Sequence, residues 1–379
     1  MPAFYEFFAG GGMARAGLGS GWSCLLSNDI DEKKAVSYRA NWGKSEFLLH
    51  DVATLTTHDL PGCADLAWAS FPCQDLSLAG AGAGLKGDRS GTFWPFWKLI
   101  RGLKAEGRAP RLVVLENVCG ALSSHGGKDF AAIGSALAST GYRFGAMVID
   151  AVNFLPHSRP RLFVIGIQTG IQIPFGLTVR EPVSAWHSDA LIQAKSQLSG
   201  RAAEKWIWWT LPTPSPRTSV FADVIEKNPR GVEWHTPEQT AKLLGMMSAI
   251  NRQKVADAQS MGRRVIGGIY KRTRLDENGE KIQRAEVRFD NVAGCLRTPS
   301  GGSSRQSIIE VNGKKIRSRL LSPREAARLM GLPDSYKLPE NYNEGYHLSG
   351  DGVAVPVVRY LALNILEPIL AATEARAAA

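Results

Sequence analysis

The stretch AFYEFFAGGGMA, residues 3–14, begins as a short apolar run and closes on three consecutive glycines before helix-forming residues. A strand over 3–8 that ends in Phe8-Ala9-Gly10-Gly11-Gly12-Met13-Ala14 predicts a tight turn opening a helix, where backbone can approach a ligand closely. Alone it is ambiguous: the register is not GxGxxG, and a merely tight turn reads the same way. The rhythm that follows gives it a context. Apolar strand candidates recur at 23–27, 66–70, 112–116, 143–148 and 162–167, with helical spacing of apolar residues over 31–41, 92–104 and 128–140. This alternation predicts an α/β, Rossmann-like domain with a mainly parallel sheet, whose ligands sit at the carboxyl ends of the strands.

The chain has 379 residues, 44% hydrophobic and 21% charged, enough for a large core and a second, smaller domain. Met1-Pro2-Ala3 leads straight into apolar residues without a basic region or cleavage site, so no signal peptide is expected. The most apolar C-terminal run, 360–372, is shorter than the ~18–20 residues of a membrane span and is broken by Asn364, Glu367 and Pro368. Five cysteines (Cys24, Cys63, Cys73, Cys119 and Cys295) form no CxxC or Cys/His cluster, so neither a disulfide framework nor a metal site is expected. A soluble protein of the reducing cytoplasm fits these features. The net charge of +10 is localised: residues 201–320 hold 22 Lys+Arg against 12 Asp+Glu, and the remainder balances at 23 against 23. A solvated basic surface and a polyanion-binding module both read this way.

From about residue 170 the strand–helix alternation stops and Pro174, Pro182, Pro212, Pro214 and Pro216 punctuate the chain. A boundary is expected at 170–185, followed by a smaller irregular domain. Trp206, Trp208 and Trp209 read as packing residues rather than base-stacking platforms. Residues 291–306 read as a polar loop. Ser322-Pro323 opens a capped helix, and a last helix is expected over 357–372.

Several residues could carry chemistry. Asp29 follows the second strand at the spacing of a carboxylate that holds ribose hydroxyls; with the glycine turn it favours an adenosine-bearing cofactor, without choosing among NAD, FAD and S-adenosylmethionine. Cys73 stands behind Pro72, at a strand end and ahead of the Gly-rich 77–90, which suggests a thiol beneath a loop able to close. Glu116-Asn117 ends the 112–115 run, delivering a carboxylate to the same sheet edge; such a buried group needs a partner. Arg159 and Arg161, in His157-Ser158-Arg159-Pro160-Arg161, would point the same way if extended.

Pro72-Cys73-Gln74, Glu116-Asn117-Val118, Arg159-Pro160-Arg161, Phe8-Ala9-Gly10, RLLSPREAARLMGLP (319–333) and GDGVAVPV (350–357) occur in the order seen in DNA cytosine-5 methyltransferases, of the bacterial and phage restriction–modification type. The resemblance covers nearly the whole chain outside about 175–290. It implies an S-adenosylmethionine-dependent methyltransferase domain over 1–175, a target-recognition domain over 176–305 and a return to the catalytic domain over 306–379. It implies Cys73 as the nucleophile at cytosine C6, Glu116 at N3 and the exocyclic amine, Arg159 near O2, and Arg161 in support. S-adenosyl-L-methionine would be held by Phe8, Ala9, Gly10, Gly11, Gly12, Asp29, Ile30, Asp51, Val52, Pro72, Asp351 and Val353. Gln74, Ser77, Lys86, Arg89, Asn117, Arg297 and Thr298 would contact the substrate. Residues 77–92 would close over a cytosine flipped from double-stranded DNA. A cognate restriction endonuclease would be a functional partner, and a monomer associated with the nucleoid is implied. The chain departs from the family pattern at Met13, His157 and Asp351. An RNA cytosine-5 methyltransferase on the same fold and a catalytically silent DNA-binding protein are the competing readings.

Overall fold

The computed structural model describes residues 1–72, 90–275, 278–298 and 305–377. They pack as two compact units. The first comprises Met1–Asp150, Pro160–Ser215 and Val353–Ala379, the second Ala151–Arg159 and Pro216–Gly352.

In the first unit, strands β1 (Ala3–Phe7), β2 (Ser23–Asp29), β3 (Phe47–Leu49), β4 (Leu66–Ala69), β5 (Leu112–Asn117), β6 (Tyr142–Asp150) and β7 (Pro160–Gln168) form one sheet, in the order β3-β2-β1-β4-β5-β7-β6. The pairs among β3, β2, β1, β4 and β5 are parallel, and β7 runs antiparallel to both its neighbours. Strands buried on both faces read as continuous apolar runs, which is why all of these except β3 were visible in the sequence. Helices α1 (Met13–Leu18), α2 (Glu32–Trp42), α3 (Phe93–Ala105) and α4 (Lys128–Ser139) alternate with the strands. The Asp31 carboxylate caps α2 by accepting from the Lys33 and Lys34 amides. Helix α3 buries Phe93, Phe96, Trp97, Ile100 and Leu103, one face at helical spacing.

Residues 176–215, expected in the target-recognition domain, pack with this first unit. Here α5 (Asp189–Ser196) and α6 (Gly200–Glu204) precede a two-stranded pairing of β8 (Thr178–Val179) with β9 (Trp208–Trp209). The tryptophans are packing residues, as expected: Trp209 is fully buried and its indole N–H donates to Ile165 O at 3.1 Å, while Trp206 meets the Phe144 ring edge-on at 5.4 Å.

The second unit is not irregular. Short helices α7 (Phe221–Val224), α8 (Pro237–Gly245) and α9 (Ala249–Ser260) precede strands β10 (Arg264–Leu275), β11 (Lys281–Arg288), β12 (Ser307–Asn312) and β13 (Lys315–Leu320), which form an antiparallel sheet in the order β11-β10-β12-β13. Leu243 of α8, Val255 of α9 and Met247 between the two helices pack with Ile269, Val287, Ile309 and Val311 of the sheet. Helices α10 (Pro323–Leu329) and α11 (Tyr342–Asp351) follow. Helix α10 starts in the expected way: Ser322 Oγ accepts from the Glu325 amide at 3.1 Å and the Glu325 carboxylate accepts from the Ser322 amide at 2.8 Å. That carboxylate also takes both terminal nitrogens of Arg319, at 2.8 and 2.6 Å, and neither side chain is exposed to solvent.

The C-terminal helical run, Val355–Leu361, Ala362–Leu366 and Glu367–Ala377, returns to the first unit. A window within Tyr342–Arg376 is apolar and long enough to cross a membrane by length and composition, longer than the sequence suggested, and 56% of it is buried inside the protein. Packing accounts for its character: Gly17 of α1 is so close that a Cβ there would lie 2.4 Å from Val358 Cβ.

Breaking a buried ion pair by removing one partner costs about 3–5 kcal/mol, because the other charge is left uncompensated. Glu325→Ala is therefore expected to lower unfolding stability by about that much, read as a shift in urea midpoint. A loss below about 1 kcal/mol would show that Arg319 is compensated without Glu325.

Candidate active site

The glycine turn lies at the carboxyl end of β1, in the central part of the sheet. The Asp29 carboxylate, at the end of the adjacent β2, closes it from the side, accepting from the Gly10 amide at 2.7 Å and the Asp31 amide at 2.8 Å. Phe8 stands at φ 58°, a left-handed conformation that costs a non-glycine residue energy and is kept only where surroundings impose it. Gly12 stands at φ 75°, and a Cβ there would lie 2.5 Å from Trp42 Nε1, the same nitrogen that donates to Gly11 O at 3.0 Å. Ile30 is 66% exposed directly after Asp29. At the next strand end, Asp51 is exposed and caps a short turn through the Ala53 amide, with Val52 buried behind it. Asn28 ties these two strand ends together, donating to Leu48 O and His50 O at 3.1 and 2.8 Å.

Beneath the turn is a polar network that sequence reasoning did not single out. Glu6, in the middle of β1 and 1% exposed, accepts from the Arg15 amide in α1 at 3.3 Å and from Ser27 Oγ at 3.2 Å. Tyr38 Oη donates to Ser27 Oγ at 2.7 Å and accepts from Arg15 Nη1 at 2.9 Å. Burial pushes the Glu6 carboxyl up to about 7. The signal was present: a lone glutamate in Phe4-Tyr5-Glu6-Phe7-Phe8.

At the carboxyl end of β5, the buried Glu116 meets Arg161, whose Nε lies 3.3 Å from Oε1. The antiparallel direction of β7 makes this possible, since its first residues then lie beside the last residues of β5; Glu116 pairs with Phe163, two positions from Arg161 on the same face. Asn117 donates to Phe71 O at 3.3 Å and accepts from the Val118 amide at 2.9 Å, fixing the segment that leads through the exposed Pro72. Cys73, Gln74, Ser77, Lys86 and Arg89 lie outside the described residues.

Arg159 belongs to the second unit and does something different. It is 2% exposed, and its Nη2 donates to Gly350 O and Gly352 O at 2.7 Å each, bracketing the exposed Asp351, while Nη1 donates to Leu296 O at 3.3 Å. His157 is fully buried, with Nδ1 2.9 Å from Leu329 O and Nε2 accepting from the Leu296 amide at 3.2 Å, which requires the neutral Nδ1–H tautomer. Arg297 is exposed and Thr298 half-buried, next to these contacts in the chain. Val353 is buried in the first unit.

The sequence matches the family of C-5 cytosine-specific DNA methylases over residues 3–367. The chain belongs to this family. Among its relatives, the Type II methyltransferase M.HhaI of Haemophilus parahaemolyticus is 25% identical over 366 residues, covering 96% of this chain and 93% of that protein. M.HpaII of Haemophilus parainfluenzae is 27% identical over 376 residues, covering 97% and 89%. The fold is that of S. pombe Dnmt2 (TM-score 0.58, 18% identity, covering 97% of this chain and 99% of that one) and of the Entamoeba histolytica methyltransferase EhMeth (0.62, 14%, covering 98% and 99%).

S-adenosylmethionine is the cofactor expected in this family of methylases, and the first unit fits it. Asp29 retains lone pairs beyond its two backbone contacts for ribose hydroxyls, Ile30 offers an exposed apolar face for a purine, and Asp51 lies at the neighbouring strand end with a carboxylate for the adenine amine. Burial pushes the thiols of Cys24 and Cys119 up, the latter against the opposing pull of Arg161, so both are poor sources of thiolate.

The Glu6 carboxyl titrates higher when folded than its ordinary 4.5. The stability it contributes is therefore complete below about pH 4.5 and lost as pH rises through about 7, a change of roughly 3 kcal/mol. Glu6→Gln is expected to flatten this fall between pH 5 and 8 in thermal melts; an identical pH profile in variant and wild type would refute it.

Proposed function

We propose that the chain transfers a methyl group to C5 of a cytosine flipped out of a short, specific sequence in double-stranded DNA. The observation that carries this reading is the ion pair of buried Glu116 with Arg161 at the carboxyl edge of the sheet that also holds the Asp29-closed glycine turn. Type II methyltransferases among its relatives, over almost the whole chain, support DNA as the substrate. The basic surplus in 201–320 supports a polyanion.

Cytosine C5 is a poor nucleophile until C6 is attacked. In this reading the Cys73 thiolate adds to C6, and electron density moves onto C5 and N3. Glu116 hydrogen-bonds N3 and the exocyclic amine and shares a proton there as charge develops. Arg161, beside Glu116, holds that carboxylate in place and contacts the base near O2. Arg159, expected from sequence to contact the base, positions instead the 296 and 350–352 backbone next to Arg297, Thr298 and Asp351. Bound S-adenosylmethionine supplies an electrophilic methyl group. A base then removes the C5 proton, the C6–S bond breaks and the thiolate departs. Flipping costs a few kcal/mol, offset by contacts in the pocket. A cognate restriction endonuclease acting on the same sequence belongs to this proposal as a functional partner.

Bisulfite sequencing of DNA from cells expressing the protein, beside cells expressing Cys73→Ala, tests it. Protected cytosines in one short motif, absent from the variant, are expected. Complete conversion in both, with 5-methylcytosine appearing in transfer RNA, would replace the DNA reading with the RNA one.

A further inference from the structure

We propose that Trp42 is a positioning residue for the cofactor: its indole N–H holds the glycine turn in the shape that S-adenosylmethionine binds. This rests on S-adenosylmethionine being the cofactor. The turn has little stiffness of its own. Gly10 and Gly12 stand at φ 54° and 75°, and glycine loses more conformational freedom on folding than any other residue. The shape must therefore be imposed by neighbouring elements.

The contacts that impose it come largely from β2 and α2. Asn28 O accepts from the Ala9 amide at 2.9 Å, and the Asp29 carboxylate accepts from the Gly10 amide at 2.7 Å. The peptide between Gly11 and Gly12 is fixed at both poles: the Gly12 amide donates to Ala9 O at 2.7 Å, and Gly11 O accepts from Trp42 Nε1 at 3.0 Å. Trp42 is the last residue of α2, so the helix that starts just after Asp29 also reaches the turn from its other end.

The indole is itself held. It is half-buried against the cluster of Ala9, Tyr38 and Phe47, and the Arg15 guanidinium of α1 lies over its ring, 5.2 Å from the centroid. The same guanidinium donates to Tyr38 Oη at 2.9 Å. A Cβ on Gly12 would meet Trp42 Nε1 at 2.5 Å, its Cδ1 at 2.8 Å and Tyr38 Cε2 at 2.9 Å. The two rings thus fill the α2 side of the turn, which cannot relax toward the helix.

Packing alone does not call for a nitrogen. A phenyl ring at position 42 would fill much of the same space but leave the Gly11 carbonyl without this donor. A ligand that binds one shape of the turn has an apparent dissociation constant that rises as the fraction of molecules in that shape falls.

Isothermal titration of the full chain with S-adenosylhomocysteine, the cofactor after loss of its methyl group, compares wild type with Trp42→Phe. The dissociation constant is expected to rise about 3- to 10-fold, the worth of one ordinary hydrogen bond. Trp97→Phe is the control. It removes an indole hydrogen bond of similar length, from Nε1 to Thr140 Oγ1 at 3.1 Å between α3 and the end of α4, and is expected to lower the melting temperature with affinity unchanged. An unchanged dissociation constant in a folded Trp42→Phe, or an equal rise in Trp97→Phe, overturns the proposal. Should Trp42→Phe not fold, hydrogen exchange at the wild-type Trp42 indole decides: exchange slowed by S-adenosylhomocysteine supports the role, and an unaltered rate refutes it. Wild-type binding keeps the two readings apart. If the wild type binds and the variant binds equally well, only the role of Trp42 falls; a wild type that does not bind sinks the cofactor reading, and this proposal with it.

Discussion

The order of strands around β1 is the constraint on which the first unit depends. From β1 the chain builds outward through β2 and β3, then returns to lay β4 and β5 on the other side. Two crossovers leaving in opposite directions open a crevice above the carboxyl ends of β1 and β4. The Gly10–Gly12 turn, Asp29, Asp51 and the segment entering Pro72 all follow strands that end at this edge. None of these residues needs a special fold of its own. Each needs only to follow a strand of the right rank.

One strand breaks the pattern, and the candidate chemistry uses it. A wholly parallel sheet would place the beginning of every strand at the opposite edge. Because β7 is reversed, Arg161 at its start arrives beside Glu116 at the end of β5. The residue two positions earlier, Arg159, is already outside the sheet and gives its guanidinium to backbone carbonyls of the second unit. Two arginines separated by a single proline thus have different partners.

Much of the first unit was legible because doubly buried parallel strands must be continuously apolar, and helices between them must show apolar faces. The three residues of β3 were too few to register. Strand direction is a tertiary property, so the local sequence of β7 could not divide the arginine roles. Strands β10 and β11 were missed because their outer halves, KRTRL and KIQR, are mostly charged and polar and have no apolar face to reveal a period. Prolines between 174 and 216 suggested a change of domain, yet the tryptophans of that stretch fasten it to β6 and β7. The glycine turn, Asp29 and the Glu116 edge were visible; the Glu6 network was not, since its meaning depends on Ser27 and Tyr38 brought to it by folding.

The C-terminal return has a consequence for how the protein is made. Trp22 Nε1 donates to Glu367 across 345 residues, and Arg359 donates to Leu18 O across 341. Helix α1, which continues directly from the glycine turn, therefore finds its packing partner only when the last part of the chain leaves the ribosome. Contacts so distant in sequence slow folding, because a long loop must close before they contribute. Residues 216–352 emerge earlier with their own core. The second unit's 216–352 stretch is thus synthesised in full before the first unit is complete, and loss of the helices over 355–377 would leave α1 without its cover.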